Sequence, residues 1–354
     1  VRLGKPEEAR GFSRVARSLR QGRLAYAADR LVSAAVDPAR TPVVSGFWRS
    51  GTTWLQEALS RLLAAKTVIE PFHFEVPAAR ALLAASRLGP TPDPVLELQM
   101  PYCGTRLLEG ELRGVFERAL RATLAGRGTR LIRTGPWECL RRRVVMKVTR
   151  GHLCLRAAQE TFGMPVIHVS RDPRGVVASV LQTGWDWLFD HLRLAEQLLD
   201  PRDGRAEAFE RWRGEIEEFD RMDRVARIAA YWAIVEAFLK ESFAAGPTRA
   251  PSVFVSYERL CQGGEGPLRE ALGRLGVTPR ASGALEQASF STSQGRLGAS
   301  LEDRILGWRR QLSPAQAEQI EGIARRFGLE DRLWPAVPAG GAAATPKAAV
   351  PAAP

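Results

Sequence analysis

Hydrophobic positions change their spacing along the chain, and each change marks an element. Val43 and Val44 make a brief continuous apolar run, as a strand buried on both faces requires; Leu55, Ala58, Leu59, Leu62 and Leu63 then recur at the three-and-four spacing of a helix with one apolar face. Residues 67–74 predict a second buried strand that stops at Pro71 and leaves Glu70 and His73 at its end, where α/β enzymes keep their chemistry. Residues 143–149 and 165–170 predict two more, joined by a helix from about His152 to Phe162, and residues 252–260 predict a last one. Near-continuous apolar strands alternating with helical patterns indicate a parallel sheet covered on both sides. The expected fold class is therefore α/β, a P-loop-like three-layer fold whose central, mainly parallel sheet is flanked by helices.

The flanking pattern divides the chain. Residues 1–40 are Arg-rich with a loose helical period and are expected to form a helical extension packed on the domain, which runs over residues 41–335. Residues 336–354 are rich in Ala, Gly and Pro, the composition of a disordered tail. Between the strands, residues 184–245 carry Trp212, Ile216, Phe219, Ile228, Trp232, Val235 and Leu239 at helical spacings, read as core, and Ser313-Pro314 opens a final helix with Ile320, Ile323 and Phe327 on its apolar side.

Two loops carry candidate chemistry. Gly46 and Gly51 stand five apart between the first strand and its helix, as in a Walker loop, so the N–H groups of residues 47–52 can converge on an anion at the positive end of the helix. A Walker loop continues with Lys and then Ser or Thr; this one continues with Thr52 and Thr53, and its nearest cation is Arg49. Such a loop can hold a 5′-phosphate but lacks the lysine of Mg-nucleotide chemistry. Sulfuryl transfer asks for less, because the transferred group carries less charge and one Arg with a few hydroxyl and backbone donors serves without a metal. In the second loop Asp172 is placed as N-cap and Pro173 at the first helical position. Ser179, two turns further on, lies on the same side, so its hydroxyl and the guanidinium of Arg171 can grip one anion.

Composition narrows the partners. Across 354 residues a net charge of +12 suggests anionic partners, but the excess is Arg spread along the chain, with no zinc finger or RNA-recognition signature, so nucleic acid ranks below a nucleotide-type co-substrate. Cys103, Cys139, Cys154 and Cys261 show no C-x-x-C pair and no metal-ligand spacing, so no metal site or disulfide framework is expected. That usage suits a reducing, cytoplasmic compartment, and there is no apolar run of membrane-spanning length.

At Trp48-Arg49-Ser50-Gly51-Thr52-Thr53-Trp54 the chain resembles the sulfotransferases that use 3′-phosphoadenosine 5′-phosphosulfate (PAPS), whose 5′-phosphosulfate loop has this form. The segment Arg171-Asp172-Pro173-Arg174 with Ser179 is similar to the family's 3′-phosphate site, and Tyr257-Glu258 to a segment whose Tyr lies beside the adenine; Arg259 departs from the usual Asp. Gln294–Gly298 lies where the family has a basic Gly-containing loop, which makes Arg296 a further candidate. The resemblance implies in-line transfer from PAPS to an acceptor hydroxyl, releasing adenosine 3′,5′-bisphosphate, with Arg49 stabilising charge on the breaking bridge, Ser50, Gly51, Thr52 and Thr53 cradling the 5′-phosphate, and Trp54 stacking on the adenine. Glu70 is the first choice of base, because Ile69-Glu70-Pro71-Phe72-His73 resembles a stretch of the carbohydrate sulfotransferases, and His73 the second; Glu70 reads equally as a strand-end carboxylate in an ion pair. That match and the Arg in the cradle lean the acceptor towards carbohydrate or a peptide tyrosine rather than a small phenol, with carbohydrate first. Two alternatives stay open: a P-loop nucleotide kinase or NTPase, and a non-catalytic anionic-ligand-binding protein on the same fold.

Overall fold

The computed structural model describes residues 23–86, 101–104, 107–124, 140–280 and 300–334. Five strands, β1 (Val43–Ser45), β2 (Lys66–Ile69), β3 (Val144–Val148), β4 (Val166–Ser170) and β5 (Ser252–Ser256), form one sheet in the order β2-β3-β1-β4-β5. Every pairing is parallel, and the register aligns Val43 with Met146 and Val166, and Val44 with Lys147 and Ile167.

Successive side chains leave a strand on opposite faces, so this register splits the core in two. Val43, Met146, Val148 and Val166 join one buried cluster; Val44, Val145, Ile167 and Val169 join the other. The helices that matter to the site are α1 (Arg23–Ala34), α2 (Thr52–Leu63), α3 (Leu155–Phe162), α4 (Pro173–Gln182), α5 (Arg224–Ala244), α6 (Tyr257–Gly263) and α7 (Pro314–Arg326). Leu55, Leu59 and Leu62 of α2 and Leu260 of α6 pack on the second face; Leu155, Val176, Trp232 and Ile320 bring α3, α4, α5 and α7 to the first. The three-layer α/β architecture is the expected one, with the sheet wholly parallel.

Strand order places the site. The chain leaves β1 through α2, on the second face, towards β2; it leaves β4 through α4 and α5, on the first face, towards β5. Neighbouring strands whose exits diverge open a crevice at their carboxyl ends, the usual place for a ligand in a doubly wound sheet. Here that crevice lies between β1 and β4, which lead into the Gly46–Gly51 loop and the Arg171–Pro173 loop.

Two boundaries differ from expectation. The strand predicted through residue 260 stops at Ser256, whose hydroxyl accepts from the Arg259 N–H and caps α6, so Tyr257 is the first residue of a helix. The helix expected from His152 begins with a 3₁₀ turn over His152–Cys154 and is α-helical from Leu155. Within the leading segment Arg23–Ala34 form α1, while residues 1–22 and 335–354, including the expected tail, lie outside the described residues. No helix among the described residues is long and apolar enough to cross a membrane.

A buried ion pair fixes α1. Lys66, at the start of β2, donates from Nζ to Asp29 Oδ1 at 2.8 Å and to Ser33 Oγ at 2.9 Å, and its side chain and that of Asp29 are 6% and 7% exposed. Removing one partner strands the other charge in the interior. Lys66→Ala is therefore expected to cost about 3 kcal/mol in urea denaturation, and the double variant Lys66→Met, Asp29→Leu distinctly less; equal losses would mean that the pair does not hold α1.

Candidate functional site

The chain has residues 46–51 in which to turn from β1 into α2, and glycine makes the turn possible. A Cβ on Gly46 would lie 2.5 Å from the Val169 carbonyl oxygen and 2.7 Å from Thr52 Cγ2, so only hydrogen fits where the loop crosses the end of β4. Gly51, with φ +86°, is the N-cap of α2, and a Cβ there would meet the Tyr257 ring at 2.6 Å. Thr52, buried, opens the helix, so the loop amides and the positive end of α2 face one space. Ser50 Oγ is buried there with no hydrogen-bond partner among the described residues.

Arg49 takes φ +63°, which costs a non-glycine residue about 1–2 kcal/mol. Two bonds from the second loop hold it there. Arg171 donates from Nη1 to the Arg49 carbonyl at 2.9 Å, and Arg49 donates from Nε to Ser179 Oγ at 3.1 Å, joining residues 122 and 130 apart in sequence. Arg171 and Ser179 thus stand on either side of Arg49. Arg171 also lies over the Tyr257 ring, 4.7 Å to the centroid, and donates to the Arg304 carbonyl. Trp54 meets Tyr257 edge-on at 5.8 Å. Burial pushes the Tyr257 hydroxyl up to about 12, with Arg171 opposing, so the ring is a neutral wall at physiological pH. Glu258 accepts from the Asp172 N–H and from Ser256 Oγ, which ties α6 to the start of α4.

On the other side of β1, Glu70 ends β2 with φ +44°, a turn that swings its carboxylate back under β3. Thr149 donates to it from the backbone N–H, 3.1 Å to each oxygen, and from Oγ1 at 2.7 Å to Oε1, while Lys147 Nζ lies 3.2 Å from Oε1. Lys147 Nζ also donates to Thr53 Oγ1 at 3.0 Å. Burial alone would raise the Glu70 pKa, but Lys147, Arg150 and the Thr149 bonds hold it below the ordinary carboxylate value. His73, one turn beyond, is pushed down to about 3 by burial and then by Arg150, with Glu70 opposing, and accepts the Glu75 N–H at Nδ1. At neutral pH the corner therefore holds a charged carboxylate and an uncharged imidazole.

Sequence pattern alone does not single out Lys147, Thr149 and Arg150. The cation missing from the loop arrives from the neighbouring strand, and the available signal is a lone Lys in the apolar run over 143–149. Below the loop, Ser45 Oγ, His168 and Glu236 form a buried chain, with His168 Nδ1 3.1 Å from Ser45 Oγ and Nε2 2.9 Å from Glu236 Oε1. His152 is pushed down to about 4, by burial and then by His168. Both histidines thus belong to the support of β1. Arg296 lies outside the described residues.

No family model matches the chain, and no curated protein does. Among solved structures it is similar to the sulfotransferase domain of the curacin biosynthetic pathway (14% identity, 80% of this chain and 96% of that one, TM-score 0.42) and to the sulfotransferase domain of the Synechococcus PCC 7002 olefin synthase (14%, 83% and 96%, 0.45). A third is sulfotransferase STF1 from Mycobacterium tuberculosis H37Rv (17%, 80% and 81%, 0.36). Each overlap falls below a TM-score of 0.5, so any functional reading must rest on the geometry of the crevice itself.

Two glycines separate backbone strain from collision. Gly51→Ala meets both a left-handed φ and the Tyr257 ring, whereas Gly184, at φ +67°, has nothing within 4 Å of the added methyl. Gly184→Ala is expected to lose about 1–2 kcal/mol and Gly51→Ala more, compared by denaturant titration; equal losses would show that the loop does not press on Tyr257.

Proposed function

We propose that this chain is a metal-independent sulfotransferase that moves the sulfuryl group of PAPS to an acceptor hydroxyl. One observation carries the reading: Arg171 bonds the Arg49 carbonyl and Arg49 bonds Ser179, so two anion-binding loops far apart in sequence share one crevice. A doubly phosphorylated adenosine needs such a pair of grips. The residues present suit it: a glycine turn too tight for any Cβ, the unpartnered Ser50 hydroxyl, an Arg at either end, and Tyr257 with Trp54 as aromatic surface for a base.

In this reading Ser50, Gly51, Thr52 and Thr53 hold the 5′-phosphate, and Arg171 and Ser179 bind towards the 3′-phosphate, with Arg296 a further candidate there. Trp54 and Tyr257 flank the adenine. Arg49 and Lys147 offset the negative charge that builds on the departing phosphate oxygen, a task that fixed cations perform without reorganisation. Glu70 is the proton acceptor for the hydroxyl. Its depressed pKa keeps it ionised at neutral pH, and Thr149 fixes its orientation. His73, uncharged but bonded to the Glu75 N–H, is the second choice. A carbohydrate acceptor rests on the Ile69-Glu70-Pro71 match alone.

Lys147 at Thr53 is the one observation that favours the kinase or NTPase reading, since it brings an ammonium to the loop. The test is stabilisation against heat: adenosine 3′,5′-bisphosphate is expected to raise Tm and Mg-ATP to have little effect, and the reverse would replace the sulfotransferase by an NTPase.

Substitution separates binding from chemistry. Arg171→Ala is expected to lose bisphosphate affinity by tenfold or more, about the value of a charge-assisted hydrogen bond. Glu70→Gln is expected to keep that affinity and lose turnover by ~10²–10⁴-fold, the usual worth of a general base; full turnover would remove Glu70 from the mechanism. A carboxylate whose pKa is depressed is ionised above that pKa and lost only as pH falls through it, so the acid limb of kcat/KM should lie below the ordinary glutamate value of 4.5. A limb near ~6.5, the ordinary imidazole value, would exclude both Glu70 and His73, whose imidazole is pushed down to about 3.

A further inference from the structure

Arg150 is a charge at this site that the phosphate grips do not use and that touches Glu70 only through its field, with no hydrogen bond between them. It follows Thr149, whose backbone and hydroxyl hold Glu70, so it stands at the carboxyl end of β3 beside the proposed proton acceptor. Its guanidinium lies over the ring of Trp48, 5.4 Å to the centroid, in the loop next to Arg49. Its Nε is shielded from solvent and has no hydrogen-bond partner, and no ion pair joins it to a described residue. The described carboxylate that acts on it is already engaged: Glu70 binds Lys147 at Oε1 and Thr149 at both oxygens. Arg150 is only half-buried as a residue, but its Nε has given up water and faces no acceptor, which costs free energy that the Trp48 ring face offsets only in part. A buried donor left unpaired calls for an explanation, and a ligand oxygen would supply the missing acceptor.

We infer that the acceptor carries an oxyanion, a carboxylate or a phosphate, near the hydroxyl to be sulfated, and that Arg150 recognises it. The inference rests on the sulfotransferase reading only in calling the ligand an acceptor. Geometry favours an oxyanion over a neutral polar group, since the planar fork of Arg matches two oxygens of one carboxylate or phosphate. The grouping of charges agrees: burial lowers the Arg150 pKa, with Glu70 and Tyr231 opposing, and Arg150 in turn helps push down His73, so the corner holds more positive charge than its own carboxylate offsets. The proposal narrows the acceptor from any hydroxyl compound to hydroxy acids, acidic sugars or hydroxyalkyl phosphates.

The test uses the full chain saturated with adenosine 3′,5′-bisphosphate and a probe panel of hydroxy acids and hydroxyalkyl phosphates, each matched with its methyl ester or parent alcohol. Calorimetric affinity, and turnover with PAPS, are read for wild type, Arg150→Gln and Arg150→Lys. Wild type should prefer the charged member of a pair by about tenfold or more. In Arg150→Gln the ratio should fall to near one while bisphosphate affinity stays within twofold; Arg150→Lys should keep part of the preference. The carboxylate and phosphate arms decide which oxyanion is the better fit. Equal use of charged and neutral probes by wild type overturns the proposal, as does a ratio unchanged by Arg150→Gln. Loss of bisphosphate or PAPS affinity in that variant overturns it too, since Arg150 would then serve the donor. If wild type binds no bisphosphate, the sulfotransferase reading fails instead, and the same paired probes on the free protein still show whether Arg150 selects oxyanions.

Discussion

Arg49 sits in a left-handed conformation that its side chain makes costly, and everything at the crevice depends on the two bonds that keep it there. Because φ is positive, its carbonyl turns out of the loop towards Arg171 while its guanidinium reaches Ser179 on α4. One residue thereby accepts from one end of the second loop and donates to the other. Arg171 is itself fixed, by the Tyr257 ring and the Arg304 carbonyl, and Asp172 beside it is held by Glu258. The crossing therefore draws three segments together, those after β1, β4 and β5, and it works only because β1 and β4 are neighbours whose connections leave in opposite directions. Strand order supplies the crevice; Arg49 closes it.

The parts of this arrangement that are legible in the sequence are those set by local pattern. Apolar runs mark β1 to β4, a pair of glycines five apart marks the cradle, and Asp172-Pro173 marks the start of α4, because each depends on residues adjacent in the chain. Lys147 is not legible. Nothing in a run of apolar residues says that β3 lies next to β1, and only that adjacency, with the alternation that puts residue 147 on the same face as Val145, aims the ammonium at α2. The pairing of Ser179 with Arg49 instead of Arg171 stays hidden for a similar reason: helical spacing gives the face a residue occupies, not which partner from another loop arrives there. Tyr257 reads as strand because apolar period-two alternation runs on past Ser256, whereas the Ser256 hydroxyl capping Arg259 decides the boundary.

Support for the loop extends beneath it. Ser45 ends β1 one residue before the cradle, and its hydroxyl meets a histidine that in turn meets a glutamate on α5, all three wholly buried. Groups this deep must be bonded to be tolerated, and the chain they form runs from α5 through β4 to the last residue of β1. A loop that binds anions through its backbone has few side chains with which to brace itself. Here the brace comes from the layer below, on the face of the sheet opposite to the one that sends Lys147 to α2.

That division explains how a cradle without its own lysine can still manage charge. A loop lysine is long and mobile and serves a highly charged terminal phosphate with the help of a metal. Lys147 instead rises from a central strand, is held by Glu70 on one side and Thr53 on the other, and has little freedom to follow a ligand. It can stabilise charge at one fixed place, as suits the transfer of a group with less charge to neutralise. The same bond shapes Glu70: the ammonium that keeps the carboxylate ionised also lowers its basicity, so in the proposed reaction the acceptor proton would be drawn off late, when the hydroxyl oxygen has begun to bond to sulfur and grown acidic. A weakly basic but always ionised carboxylate is adequate for a nucleophile that acidifies as it reacts, which makes the Lys147–Glu70 pair a workable partner for a hydroxyl acceptor rather than an obstacle to one.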